Sequence, residues 1–118
     1  MNPRLSLFVL RVRQELLKKS VDFYQCLGFS FKEERHGQGP LHYTSESNGY
    51  VFELYPLLRD EGYPQPHARL GFQVTKEAIE RLQNYKSEDN FAFICDERPY
   101  GFVSKDPMGR YIELYVKD

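Results

Sequence analysis

Tryptophan is absent from this chain of 118 residues, cysteine and methionine occur twice each, and neither sign of charge dominates. Cys26 and Cys95 stand far apart with no CxxC spacing, which points to two reduced, packed thiols rather than a disulfide or a redox pair, and neither is a candidate nucleophile. Sixteen basic residues against seventeen acidic ones leave a net charge of −1 with no basic stripe, so no nucleic-acid partner is expected. No apolar run approaches the roughly 20 residues that a membrane helix needs. The N-terminus also lacks the charged, apolar and small-residue order of a signal peptide, so the expectation is a cytoplasmic protein with no membrane partner.

What the chain does have is apolar material, 41% of its residues with 15% aromatic, enough for one folded domain over 1–118. It also has an internal echo. Phe-Glu-Leu-Tyr at Phe52–Tyr55 returns as Ile-Glu-Leu-Tyr at Ile112–Tyr115. Because a strand alternates its faces, Glu53 shares a face with Val51 and Tyr55, and Glu113 with Tyr111 and Tyr115, while the apolar partners turn the other way. Two carboxylates at equivalent places of a duplicated unit are expected to converge on one cavity.

Element signals agree with duplication. In the first half an apolar strand at Leu5–Val12 precedes Leu16, Leu17, Val21, Tyr24 and Leu27 at helical spacing, with Gly28 as the stop. Strands are then predicted at Phe29–His36, Leu41–Glu46 and Tyr50–Tyr55, separated by turns at Gly37-Gln38-Gly39-Pro40 and Asn48-Gly49. In the second half Ala68–Val74 is a strand, Thr75 an N-cap, and Ala78, Ile79, Leu82 and Tyr85 one face of a short helix. Phe91–Cys95, Phe102–Lys105 and Arg110–Val116 complete the order. The spacing therefore predicts an α+β fold of two paired βαβββ modules, residues 4–56 and 68–118, joined by a linker at 57–67 and forming a curved mixed sheet around a cleft. A unit of about 55 residues buries too little alone, so the two must pair.

Several side chains are candidates for that cleft. Tyr55, Tyr111 and Tyr115 share the faces of the glutamates, and the loop residues Tyr63 and Tyr100 are placed to close over them. These rings have a second reading as core or interface filler. His36 and His42 flank the 37–40 turn, and His42 reaches the cleft mouth only if its strand face is the inner one. Asp106-Pro107-Met108-Gly109 reads as a turn, and Lys18-Lys19 and Glu33-Glu34-Arg35 as solvated faces.

Phe23-Tyr24 followed by Leu27-Gly28-Phe29, the closing Asp106-Pro107-Met108-Gly109-Arg110-Tyr111-Ile112-Glu113-Leu114, and the paired βαβββ order together resemble the vicinal oxygen chelate superfamily. That group includes glyoxalase I, bleomycin-resistance proteins, fosfomycin-modifying enzymes and extradiol dioxygenases. The resemblance covers nearly the whole chain and implies, for metal-dependent members, one ligand from the first strand and one from the last strand of each module. Glu53 and Glu113 match the last-strand places. Leu7 and Arg69 fall at the first-strand places, where such enzymes keep histidine in at least one module.

Leu7 offers no donor, and a protonated guanidinium stands badly beside a divalent cation. One reading makes Arg69 a substitute for the metal that bridges Glu53 and Glu113 in a metal-free cleft; another makes it a plain neutraliser of two carboxylates. A third register puts His67 at the ligand place, giving a Glu53, His67 and Glu113 metal set. The resemblance thus implies either a small-molecule binding protein of the bleomycin-resistance type without a cofactor, or a metal-dependent glyoxalase-like lyase, transferase or dioxygenase. A metal-free enzyme with a glutamate of raised pKa as acid or base is a further class. The candidate ligand-binding set is Leu7, Glu53, Tyr55, Arg69, Tyr100, Tyr111, Glu113 and Tyr115, with Glu53 and Glu113 as the catalytic candidates. The partners implied are a small organic molecule and a second copy of the chain, because members of the group commonly complete their clefts from two chains.

Overall fold

The computed structural model describes residues 2–47, 49–57 and 68–117. The first module runs β1 (Leu7–Val12), a single 3-10 turn, α1 (Leu17–Leu27), β2 (Lys32–Glu34), β3 (His42–Ser47) and β4 (Tyr50–Pro56). The second runs β5 (Arg69–Val74), α2 (Lys76–Asn84), β6 (Cys95–Arg98), β7 (Gly101–Lys105) and β8 (Tyr111–Val116). Both are βαβββ, and the fold is α+β as expected. Of the expected linker at 57–67, residues 58–67, with Tyr63 and His67, lie outside the described residues, as does Asn48 of the hairpin turn.

The strands form two four-stranded mixed sheets, β1-β4-β3-β2 and β5-β8-β7-β6, one from each of the expected paired modules. In each, the first strand pairs in parallel with the last, Leu7 beside Val51 and Arg69 beside Tyr111, and the remaining pairs are antiparallel. Among the described residues no ladder joins the two sheets. The modules meet through side chains instead.

The end of α1 shows how. Gly28 takes the left-handed conformation at φ 119°, and the amides of Gly28 and Phe29 bond back to the carbonyls of Gln25 and Tyr24. This paired closure is the Schellman arrangement, which glycine adopts without a Cβ penalty. It turns Phe29 into the core, 4.9 Å from the ring of Phe52 on β4 and 5.5 Å from that of Phe72 on β5. Tyr24, one turn back on the helix, contacts the same two rings edge-on. Two aromatic side chains thus touch both sheets, and Leu54, Ala78, Leu82, Ile112 and Leu114 close the same core. Edge-to-face pairs of this kind contribute about 0.5–1.5 kcal/mol each beyond their area burial.

On the second module, Thr75 caps α2 by accepting the Ala78 amide at 3.2 Å, as expected. The expected strand Phe91–Cys95 is corrected: the ladder begins only at Cys95. Phe91 and Phe93 pack on each other, and Phe93 also meets Phe23 and Tyr85, so their alternation is satisfied by burial beside the helices without strand pairing. The strand at Phe29–His36 likewise shrinks to Lys32–Glu34, because Phe29 is held at the helix cap.

The turn at Asp106–Gly109 does more than reverse the chain. Asp106, 4% exposed, accepts the Tyr24 hydroxyl at 2.7 Å and the amides of Met108 and Arg110, and pairs with the Arg110 guanidinium at 3.1 Å. Arg110 in turn donates to the Arg11 carbonyl on β1 at 2.8 Å. One buried carboxylate therefore ties α1, β1 and the start of β8. Burial, with the neighbouring Asp106 charge second, drives the Tyr24 pKa well above its ordinary value, so the hydroxyl stays a donor. Removing one partner of a buried ion pair typically costs about 3–5 kcal/mol. Asp106→Ala is expected to lower unfolding stability by that order in urea titrations, and a loss below about 1 kcal/mol would contradict this role for the turn.

Candidate functional site

The strand faces opposite the core carry the polar groups. On the second sheet, Arg69, Gly71 and Gln73 of β5 lie beside Tyr111, Glu113 and Tyr115 of β8. Arg69 Nη2 stands 3.1 Å from Glu113 Oε1. The Tyr115 hydroxyl donates to Glu113 Oε2 at 2.8 Å, and that of Tyr100 reaches Oε1 at 3.4 Å. Gly71 makes room for this: a Cβ there would come within 3.1 Å of the Tyr115 ring. The rings of Tyr100 and Tyr115 lie 5.6 Å apart, and Tyr111 takes the Lys105 ammonium over its face. The arrangement is an exposed cation on a carboxylate framed by three phenol rings.

On the first sheet the register sets Glu53 beside Thr44 and Val9, and Tyr55 beside Arg11. Glu53 Oε2 accepts the Thr44 hydroxyl at 3.1 Å and lies 3.6 Å from His42 Nε2. His42, 1% exposed, stacks on Tyr55 with ring centres 4.1 Å apart, and Arg11 covers the Tyr55 ring. Leu7 is exposed at the sheet edge.

The candidates thus fall into two groups, Leu7, Glu53 and Tyr55 on one sheet and Arg69, Tyr100, Tyr111, Glu113 and Tyr115 on the other. Among the described residues no ion pair or hydrogen bond joins them, and Arg69 pairs with Glu113 while Glu53 has partners of its own. The expected bridge of Arg69 between both glutamates is therefore not formed within one chain. Both glutamates sit on strand faces turned away from the shared core. His67, the alternative ligand, lies outside the described residues.

A cavity of about 350 Å³ runs along β5 between Phe29, Tyr50 and Phe72, bounded by Gly71, Gln73 and Val74. Arg69 is exposed, whereas its partner Glu113 is largely covered. Both cysteines are half-buried and free, and burial raises both thiol pKa values, which agrees with inert packed thiols.

By sequence, neither a family model nor a curated protein matches the chain. By structure, it resembles the glyoxylase/bleomycin resistance protein/dioxygenase domain from Frankia sp. EAN1pec, with 18% identity across the whole of both chains and a TM-score of 0.64. It is also similar to the oxidase ChaP-H2 (14% identity, 100% of this chain and 96% of that one, TM-score 0.65). The fosfomycin resistance protein FosX from Mesorhizobium loti gives 14% identity over 100% and 94% of the two chains, at a TM-score of 0.62. The chain has the vicinal oxygen chelate fold.

Metal-dependent proteins of the vicinal oxygen chelate fold would use the places held here by Leu7, Glu53, Arg69 and Glu113. The donor chemistry at those places does not fit a cation: one residue is apolar, one is a guanidinium, and the Glu113 carboxylate is already matched to that guanidinium. A different donor set is present, since Glu34, His36 and His42 each offer an atom within 4.8 Å of the others.

Sequence reasoning underweighted His42 and left out Thr44. Both were legible from the Asn48-Gly49 turn, because a hairpin closed between Ser47 and Tyr50 sets Thr44 opposite Glu53 and carries His42 to the level of Tyr55. The Asp106 network had a weaker signal, an acid and a base four positions apart around Pro-Met-Gly.

The hydrogen bond to Glu113 raises the Tyr115 pKa, with burial second and Arg69 opposing. The hydroxyl therefore keeps its proton to higher pH than a free tyrosine, whose value is about 10. In ultraviolet titration, the phenolate signal lost on Tyr115→Phe is expected to have its midpoint above that value, and Glu113→Gln is expected to bring it down. An unchanged midpoint in Glu113→Gln would show that the contact does not persist in solution.

Proposed function

We propose that this chain is a small-molecule binding protein of the bleomycin-resistance type, holding an organic ligand on the Arg69, Tyr100, Tyr111, Glu113 and Tyr115 face without a metal. The observation that carries the reading is the 3.1 Å pair between Arg69 and Glu113. A guanidinium supplies there the positive centre that a cation would otherwise provide, and phenol rings around it suit a ligand with a flat ring and a charged or polar group.

The face needs a cover, and the cover is a second copy of the chain. β1 and β5 each end a sheet with an unpaired edge among the described residues, and Leu5, Leu7 and Val9 are exposed beside that edge on the first sheet. Unpaired edges with apolar neighbours favour pairing with another strand. Setting β1 of one copy against β5 of the other would bring Leu7, Glu53 and Tyr55 opposite Arg69 and Glu113, and so close a cleft that one chain leaves open. The metal-dependent alternative, a lyase, transferase or dioxygenase built on Glu53 and Glu113, would have to displace Arg69 first.

The test is a thermal-shift screen of planar antibiotics, phosphonates and glutathione adducts, followed by affinity measurement on the hit. Binding is expected to survive EDTA and to weaken about tenfold or more in Arg69→Met, the scale of about 1.4 kcal/mol. Binding that is abolished by EDTA and depends on Glu113 would overturn the metal-free reading. In sedimentation the chain is expected to be a dimer that Leu7→Asp dissociates, with loss of ligand binding. A monomer that still binds the ligand at full affinity would rule out the shared cleft.

A further inference from the structure

We infer that Glu34, His36 and His42 form a binding site for a borderline divalent transition-metal ion such as Zn²⁺. The site lies at the open end of the β2–β3 hairpin, away from the four strand positions where this fold's metal enzymes place their ligands. The three side chains come from a short stretch of chain, yet the hairpin brings them together. Glu34 lies directly across from His42 in the antiparallel pair, so both project from the same face. The intervening turn, closed by the Gly39 amide on the His36 carbonyl at 2.9 Å, folds His36 back over them. The two imidazole rings then stand 5.1 Å apart, and His36 Nε2 lies 3.6 Å from Glu34 Oε2. One donor atom of each residue falls within 4.8 Å of the other two.

Ligands about 2.0–2.1 Å from a tetrahedral ion are roughly 3.3 Å from one another. The Glu34 and His36 donors already approach that separation, and His36, with 71% of its side chain exposed, is free to swing the remaining distance. His42 supplies the fixed point. It is buried, stacked on Tyr55, and its Nδ1 lies 3.2 Å from the Pro40 carbonyl oxygen. A carbonyl only accepts, so the Nδ1 contact is made by an N–H, which leaves Nε2 as the ring nitrogen available for ligation. An N–H fixed on a backbone carbonyl is the second-shell support that ligating histidines ordinarily have.

The charges around His42 Nε2 suit a cation. Glu53 Oε2 lies 3.6 Å away, the Tyr55 hydroxyl 3.2 Å away, and Glu34 faces it from β2, so two carboxylates stand near it against one guanidinium, that of Arg11 over the Tyr55 ring stacked on His42. Two imidazoles with one carboxylate select Zn²⁺, Co²⁺, Ni²⁺ or Cu²⁺ over Mg²⁺ or Ca²⁺, which prefer all-oxygen sites. The exposed His36 side leaves a coordination position to solvent.

The test uses the full chain, titrated with Zn²⁺ against a chromophoric chelator and with Co²⁺ by visible absorption. One ion per chain is expected, with four-coordinate Co²⁺ absorption. His36→Gln and Glu34→Gln are each expected to weaken Zn²⁺ by about tenfold or more, a loss on the scale of about 1.4 kcal/mol. Both side chains reach solvent, so the metal-free melting temperature should stay unchanged, separating lost ligation from lost folding. Full Zn²⁺ affinity in both variants would overturn the site, as would a wild-type dissociation constant weaker than about 1 mM. Loss of the ion on Glu113→Gln but not on His36→Gln would assign it to the sheet-face carboxylates, overturning this inference and the metal-free reading together.

Discussion

The shared aromatic core at the end of α1 is the constraint on which the molecule depends. Tyr24 and Phe29 each touch Phe52 on one sheet and Phe72 on the other, and no ladder does that work among the described residues. A core shared by two sheets commits one face of each to the interior. By the two-residue alternation of a strand, Glu53 and Glu113 are then committed to the opposite faces. The position of the acidic groups is a consequence of apolar packing at Phe52, Leu54, Ile112 and Leu114, all fully buried.

That geometry explains why the two glutamates acquire different surroundings despite equivalent places in the repeat. Glu113 meets a cation from its neighbouring first strand and two phenols; Glu53 meets an imidazole and a hydroxyl from the hairpin strand on its other side. The two modules share a frame, and the residues at its first-strand places, Leu7 and Arg69, differ in what they offer. A guanidinium pairs with Glu113 on the second sheet, whereas the nitrogen donors of the first module gather at the hairpin beside Glu34.

Much of this was readable in the chain. The Gly28 stop, the Thr75 cap and the face assignments of Glu53 and Glu113 follow from local rules and stand as expected. The failures have physical causes. Phe91 and Phe93 alternate like a strand, but two rings can meet that pattern by packing on Phe23 and Tyr85, and only tertiary neighbours decide which occurs. Arg69 pairs with Glu113 alone within one chain, because sequence equivalence of two carboxylates says nothing about how two sheets are set against each other.

By itself the sequence determined the two βαβββ units, the faces on which their acidic and aromatic residues lie, and the absence of a donor at Leu7, because these depend on period, caps and residue chemistry. Tertiary structure alone decided that the sheets join through a buried core rather than by an edge, that Asp106 locks three elements, and that His42 is buried against Tyr55 and Glu53. Contacts between distant segments are set by competition for burial across the whole chain, and no local pattern records its outcome.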